Sequence, residues 1–280
     1  MEITVFLAVI AAAFMHASWN LIVKLKIDRF LSLFLLQTLM GIMGLAMLAV
    51  FALPAQASLP YALASGVLHT GYNIFLARSY RHGDLSQVYP IARGTAPLLT
   101  LVATWLVAGE QISFLTAAGI GVLVTGIYLV AMGKSKSLHL DRSTLLFALG
   151  TSGFIAAYTV VDGLGGRISG APSGYTAVVF ILDAVFLAIA GVYMRGPGIF
   201  REVAPYWKSG IAGALLSAGA YWIVIWAMTK APIAAVAALR ETSILFVILM
   251  SAKYLQESIG WKRVLGGVLV VAGAVALRLS

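Results

Sequence analysis

Five ionisable residues interrupt stretches that are otherwise apolar: Arg93, Asp162, Asp183, Arg240 and Glu241. If those stretches cross a bilayer, a charge near a helix centre costs roughly 2.5 to 3.5 kcal/mol on insertion scales, so each must face protein or water. A guanidinium offers paired donors that match a carboxylate or phosphate oxyanion, which makes Arg93 and Arg240 candidate anchors for an anionic group. The same charges could instead pair internally, Arg93 with Asp183 or Arg240 with Asp162, while Glu241 neutralises a neighbour, because buried charges are usually paired whether or not anything binds.

A second set of residues repeats at helical spacing. His16, Trp19 and Asn20 stand at i, i+3 and i+4, and His69, Tyr72 and Asn73 repeat that arrangement, so each trio shares one helix face. Tyr89 and Arg93 are four apart, as are Tyr158 and Asp162, and Tyr221, Trp222 and Trp226 add a further aromatic cluster. Such faces could wall a wet, aromatic cavity suited to an amphipathic small molecule, or could simply hydrogen-bond and pack helix to helix. Trp207, Trp261 and Tyr61 fall at the ends of apolar stretches and read as an interfacial belt. The four histidines show no HxxxH or HxxE spacing and there is no cysteine, so no metal and no cofactor are expected.

The elements that must carry these residues follow from composition. At 61% hydrophobic and 10% charged, with a mean hydropathy of +0.98, the chain has too little polar surface for a water-soluble body of 280 residues. Ten spans are expected, at about 3–23, 30–53, 60–79, 86–108, 112–132, 143–163, 174–194, 207–228, 233–254 and 261–279, separated by Gly, Pro and charge clusters. Lys and Arg concentrate in alternate loops: Lys24, Lys26 and Arg29; Arg78 and Arg81; Lys134, Lys136 and Arg142; Arg195, Arg201 and Lys208; Lys253, Lys262 and Arg263. The opposite side carries only Arg167, Lys230 and Arg278. Basic loops stay cytoplasmic during insertion, so both termini are expected on the non-cytoplasmic side. A basic pI near 9.9 therefore reflects topology, and no nucleic-acid partner is expected.

The chain also repeats itself. A shift of 147 residues places Arg93 on Arg240, Thr95 on Thr242, Glu110 on Glu257, Gly119 on Gly266 and Gly126 on Gly273. Two units are expected, 1–133 and 141–280, each of five spans; an odd number of spans forces the second copy to enter the membrane inverted. Loop charge agrees, since each basic loop of one copy corresponds to a charge-poor loop of the other. Gly119 with Gly126 and Gly266 with Gly273 lie seven apart, on one face of spans five and ten, where small residues let helices approach closely in lipid.

Trp19-Asn20 followed by Lys24, the run from Pro90 through Arg93 to Pro97, and Gly109-Glu110 or Gln256-Glu257 before the last span of each half resemble the EamA-type branch of the drug/metabolite transporter superfamily. The similarity covers the whole chain. It implies an all-α integral membrane protein of ten transmembrane helices in two inverted repeats, not an enzyme, with spans five and ten packed together so that a monomer suffices. It is similar to exporters of amino acids, including aromatic ones, in a bacterial inner membrane, with a small-molecule cargo and the lipid bilayer as partners.

On that reading Trp19, Asn20, His69, Tyr72, Asn73, Tyr89, Arg93, Tyr158, Tyr221, Trp222 and Arg240 would line the cargo path. Asp162, Asp183, Glu241 and His16 would be candidates for coupling to an ion. Pro90, Gly94 and Pro97 in span four and Pro232 before span nine would act as hinges. A rival cargo is an organic phosphate, a phosphonate or a lipid-linked anionic metabolite, which two arginines would also suit. Span one lacks a central carboxylate of the kind the small multidrug relatives carry, so proton antiport of that type is not expected. An intramembrane hydrolase is disfavoured because no GxSxG or paired-aspartate motif occurs.

Overall fold

The computed structural model describes residues 1–22, 29–82, 85–132, 142–255 and 260–280. Helices account for nearly all of them: α1 (Ile3–Ile22), α2 (Arg29–Leu48), α3 (Leu59–His82), α4 (Leu85–Val107), α5 (Phe114–Met132), α6 (Arg142–Ile168), α7 (Pro172–Arg195), α8 (Ile199–Val203), α9 (Trp207–Met228), α10 (Ile233–Arg240), α11 (Ser243–Leu255) and α12 (Trp261–Leu279). Helix is the one conformation that satisfies the backbone of an apolar segment from within itself. The breaks are chemical. Gly170 and Gly196 take φ of +64° and +80°, where a Cβ would be strained, and Pro172 opens α7 at a position needing no N–H.

Seven helical segments are long and apolar enough to cross a membrane by length and composition: Ile3–Asn20, Arg29–Leu48, Phe114–Met132, Arg142–Ile168, Pro172–Arg195, Ile199–Met228 and Ile233–Met250. Of the other long helices, α4 contributes the shorter apolar stretch Ile91–Val107, and α3 and α12 have the length without the composition. In α3 the polar residues His69, Thr70, Tyr72 and Asn73 dilute the apolar ones, and α12 carries Lys262, Arg263 and Arg278 near its ends. Large apolar side chains such as Leu7, Ile42, Trp105, Leu146, Ile189 and Val271 stand exposed around the outside, a surface that lipid solvates and water would not.

Helices pack pairwise, α5 on α12, α2 on α7, α3 on α6 and α1 on α9, with α4 against α6. The α5–α12 crossing is the most extensive of these. A Cβ on Gly126 would stand 2.6 Å from the Gly266 carbonyl oxygen, and one on Gly273 would stand 2.7 Å from that of Gly119. The glycine faces read from the sequence thus meet directly. Trp207 and Trp261 are exposed at helix starts as expected of interfacial rings, whereas Tyr61 packs partly buried against the core.

The two ends of the bundle differ. At one, the Arg195 guanidinium lies 5.5 Å from the Phe30 ring and that of Arg78 lies 6.0 Å from the Phe147 ring, joining the end of α7 to the start of α2 and that of α3 to α6. At the other, Ala55 N–H donates to the Ser169 carbonyl at 2.8 Å. There the Arg167 Nη2 meets Glu110 Oε1 at 2.6 Å and the Ala231 carbonyl at 3.0 Å, and Arg167 Nε meets the Met228 carbonyl at 2.8 Å. Glu110 Oε1 also accepts from the Ile233 backbone N–H at 2.9 Å, at the amino end of α10.

The expected hinges are placed differently. Despite Pro90, Gly94 and Pro97, α4 runs unbroken, with the Ser152 hydroxyl of α6 lying 3.2 and 3.1 Å from the Ile91 and Ala92 carbonyls. The interruption falls in the ninth expected span, between α10 and α11. There Glu241 N–H donates to Ala238 and Thr242 N–H to Leu239, each at 3.0 Å, and the Thr242 hydroxyl takes the same Leu239 carbonyl at 2.7 Å. A turn closed by i to i−3 bonds cannot continue the α-helical ladder. Pro232 caps the start of α10 without breaking the span itself.

Candidate functional site

The break after α10 leaves Glu241 between two arginines. Arg93 Nε stands 2.8 Å from Glu241 Oε2 and Arg240 Nε stands 3.8 Å from Oε1, with all three side chains almost fully buried. Desolvation makes such charges costly alone and strongly coupled together. Pairing of Arg93 with Asp183, or of Arg240 with Asp162, is therefore overturned as the principal arrangement: one glutamate serves both guanidinium groups because the broken helix presents its carboxylate where the unbroken helix would point it elsewhere.

Arg93 extends the cluster to α1. Its Nη2 lies 3.2 Å from His16 Nε2, while Trp19 Nε1 approaches His16 Nδ1 at 3.3 Å. A neutral imidazole has one acceptor nitrogen, so it satisfies one of these donors fully; the charged guanidinium makes the stronger bond. Asn20 folds back onto the His16 carbonyl at 2.9 Å and receives Arg29 Nη2 on its Oδ1 at 3.4 Å. The first trio shares a face, as its spacing requires.

The second trio lies on α3 and meets α6, α7 and α9. His69 stacks on Tyr158 with ring centroids 4.0 Å apart and meets Tyr221 edge-on at 5.4 Å; Tyr72 meets Tyr158 at 5.7 Å. Asp162 accepts the hydroxyls of Tyr175 at 3.0 Å and Tyr221 at 2.5 Å, which uses both carboxylate oxygens. Asp183 receives Gln37 Nε2 at 3.4 Å on one oxygen and has His69 Nδ1 at 3.6 Å from the other.

These side chains border a partly open cavity of about 80 Å³ lined by, among others, Trp19, Gln37, Arg93, Tyr158, Asp183 and Arg240. His16, His69, Tyr72, Asn73 and Tyr221 complete the polar and aromatic wall. A smaller space of about 20 Å³ shares His16, Trp19, Tyr72 and Arg93 and continues past Asn20 and Arg29 toward the Arg-rich end. The volume of the main cavity corresponds to about five to eight waters at roughly 10 to 15 Å³ each.

Of the residues read from the sequence, most converge here. Asp162 stands behind the wall, holding Tyr221 in place. Trp222 does not reach the cavity: its Nε1 bonds Ser173 at 3.0 Å and its ring meets Phe51 at 5.1 Å. The side chain of Tyr89 lies outside the described residues. Sequence reading passed over Gln37, the single amide inside the second apolar span, and Tyr175, the partner of Asp162; Gln37 could have been noticed for its isolation.

The profile of the EamA-like transporter family matches this chain over residues 3–132 and 142–279. The chain belongs to that family. A solved crystal structure of a protein superposes on it with a TM-score of 0.79 at 16% identity, covering 99% of this chain and 96% of the other, a likeness that speaks to fold alone. No curated protein matches the sequence. As an EamA-like transporter with seven strongly apolar helices, the molecule is a multi-pass membrane protein, and its family handles small solutes.

Proposed function

We propose that this protein exports amino acids or related small metabolites, aromatic amino acids included, across a bacterial inner membrane by alternating access around the central cavity. The observation that carries this reading is the composition of the cavity wall: guanidinium groups at Arg93 and Arg240, the carboxylate of Asp183, and the rings of Tyr72, Tyr158 and Tyr221 line one space inside an apolar bundle. Both signs of charge beside aromatic faces suit a zwitterion with a side chain better than a phosphate, whose negative charges would meet the Asp183 carboxylate.

Ten spans in two inverted repeats, 1–133 and 141–280, form part of the same proposal, with the Arg-rich end in the cytoplasm. Two separate matches to one family profile and the alternation of loop charge support it. Reconstitution into proteoliposomes and uptake of each of the twenty amino acids tests the reading. Saturable flux of at least one is expected, and none across the panel removes the assignment.

A further inference from the structure

The carboxylates near the cavity are not equivalent. Glu241 is matched by two guanidinium groups and Asp162 by two tyrosine hydroxyls. Asp183 has neither. It is 3% exposed, its Oδ1 has no hydrogen-bond partner, and its Oδ2 has only the long 3.4 Å contact from Gln37. His69 Nδ1, at 3.6 Å, lies closer to Ser65, 3.1 Å from both the carbonyl and the hydroxyl oxygens, so its N–H has a better acceptor than the aspartate. Among the described residues no Lys or Arg stands within ion-pair distance of Asp183.

A buried carboxylate without a cation is expensive, and such groups persist where a ligand completes them. The surroundings define that ligand. Asp183 opens on a cavity walled by Tyr72, Tyr158 and Tyr221, whose ring faces attract an ammonium and whose desolvation strengthens the attraction. Open donors line the same space: Asn73 Nδ2, on a residue 2% exposed, and Arg240 Nε both lack a hydrogen-bond acceptor. An acid without a cation on one wall, with the Asn73 amide and the Arg240 guanidinium on others, forms a receptor for a molecule carrying an ammonium and a carboxylate.

We propose that Asp183 is the ammonium-binding residue of the cavity, so that the cargo is selected first by a primary amino group and second by its carboxylate. This rests on the cavity being the cargo site, and it goes further in naming the group that is read. Because Asp183 repels any anion lacking an amine, the des-amino analogue of a cargo is rejected.

Two trios test this with the purified full chain: L-alanine, ethylamine and propionate, and L-phenylalanine, phenethylamine and 3-phenylpropanoate. Binding by isothermal calorimetry or ligand-dependent thermal shift is compared for the wild type, Asp183→Asn and Asp183→Glu. In at least one trio the amino acid and the amine should bind, and the carboxylate-only compound should bind about tenfold or more weakly, the scale of one charged hydrogen bond. Asp183→Asn should lose the amine by a similar factor, and Asp183→Glu should restore it in part, which separates lost recognition from lost folding. Equal binding of carboxylate-only and amine-bearing compounds to the wild type, or undiminished amine binding by a folded Asp183→Asn, overturns the proposal. If amino acids are transported without preference for the amine, the Asp183 role fails and export stands. If amines bind while no amino acid is transported, export fails and the Asp183 site stands; absence of any binding removes both.

Discussion

Glu241 and Asp183 are both buried acids, yet their partners give them opposite energetic roles. Glu241 separates two guanidinium groups that would otherwise face each other in a dry interior. Glu241→Gln should therefore destabilise the protein by roughly 3 to 5 kcal/mol, the cost of breaking a buried ion cluster from one side. Asp183→Asn removes a charge that has no cation, and should leave the unfolding temperature unchanged or raise it. Thermal unfolding of both variants in one detergent decides the matter: a Glu241→Gln melting no lower than Asp183→Asn would mean that the glutamate is not what holds the arginines. The identities of these residues were visible in the sequence, because a charge in an apolar run is conspicuous. Their partnerships were not, since pairing depends on which helices adjoin and where one of them breaks. Trp222 shows a further reason. It neighbours Tyr221, and consecutive residues on a helix point about 100° apart at roughly 3.6 residues per turn, so a ring beside a cavity residue is turned away from the cavity.

The same division between pattern and geometry holds for whole elements. Helix positions followed from apolar runs and their Gly and Pro boundaries, and the seven-residue glycine spacing on α5 and α12 identified a contact face before any partner was known. The break between α10 and α11 was illegible, for it comes from Thr242 and the turn closing on Leu239, while two prolines that look disruptive leave α4 continuous. The glycine face can be tested against a built-in control. Gly126→Val or Gly266→Val would drive side-chain atoms onto the opposing backbone, where even a Cβ comes within 2.6 to 2.7 Å of a carbonyl oxygen. Overpacking of that kind costs about 1 to 3 kcal/mol. Gly121, on the same α5, has open space around it, so Gly121→Ala should hold or gain up to about 1 kcal/mol through helix propensity. Equal melting of the Gly126→Val and Gly121→Ala proteins would show that the crossing tolerates separation.

At the scale of the molecule, closure is asymmetric in this conformation. The end carrying Glu110, Arg167 and the start of α10 is tied by four contacts of 2.6 to 3.0 Å through two side chains, whereas the cavity continues through a second space toward Asn20 and Arg29 at the other end. If cargo leaves by alternating access, the Glu110 cluster must open in every cycle, because it joins the α4–α5 loop, α6 and α10 across one mouth. Glu110→Gln removes the ion pair and weakens the acceptor at the α10 amino end, so the open form should gain population. The absence of native cysteine makes this measurable without background. A single Ser217→Cys, placed on the cavity wall, should react several-fold faster with a membrane-impermeant maleimide added to the Arg167 side when Glu110→Gln is present. Single cysteines at Leu138 and Gly170 fix which side that is, and should label from opposite compartments if the chain crosses the membrane an odd number of times between them. Unchanged reactivity at position 217 would mean that the cluster braces this end without gating it, and same-side labelling of 138 and 170 would remove the inverted arrangement on which alternation between the two mouths depends.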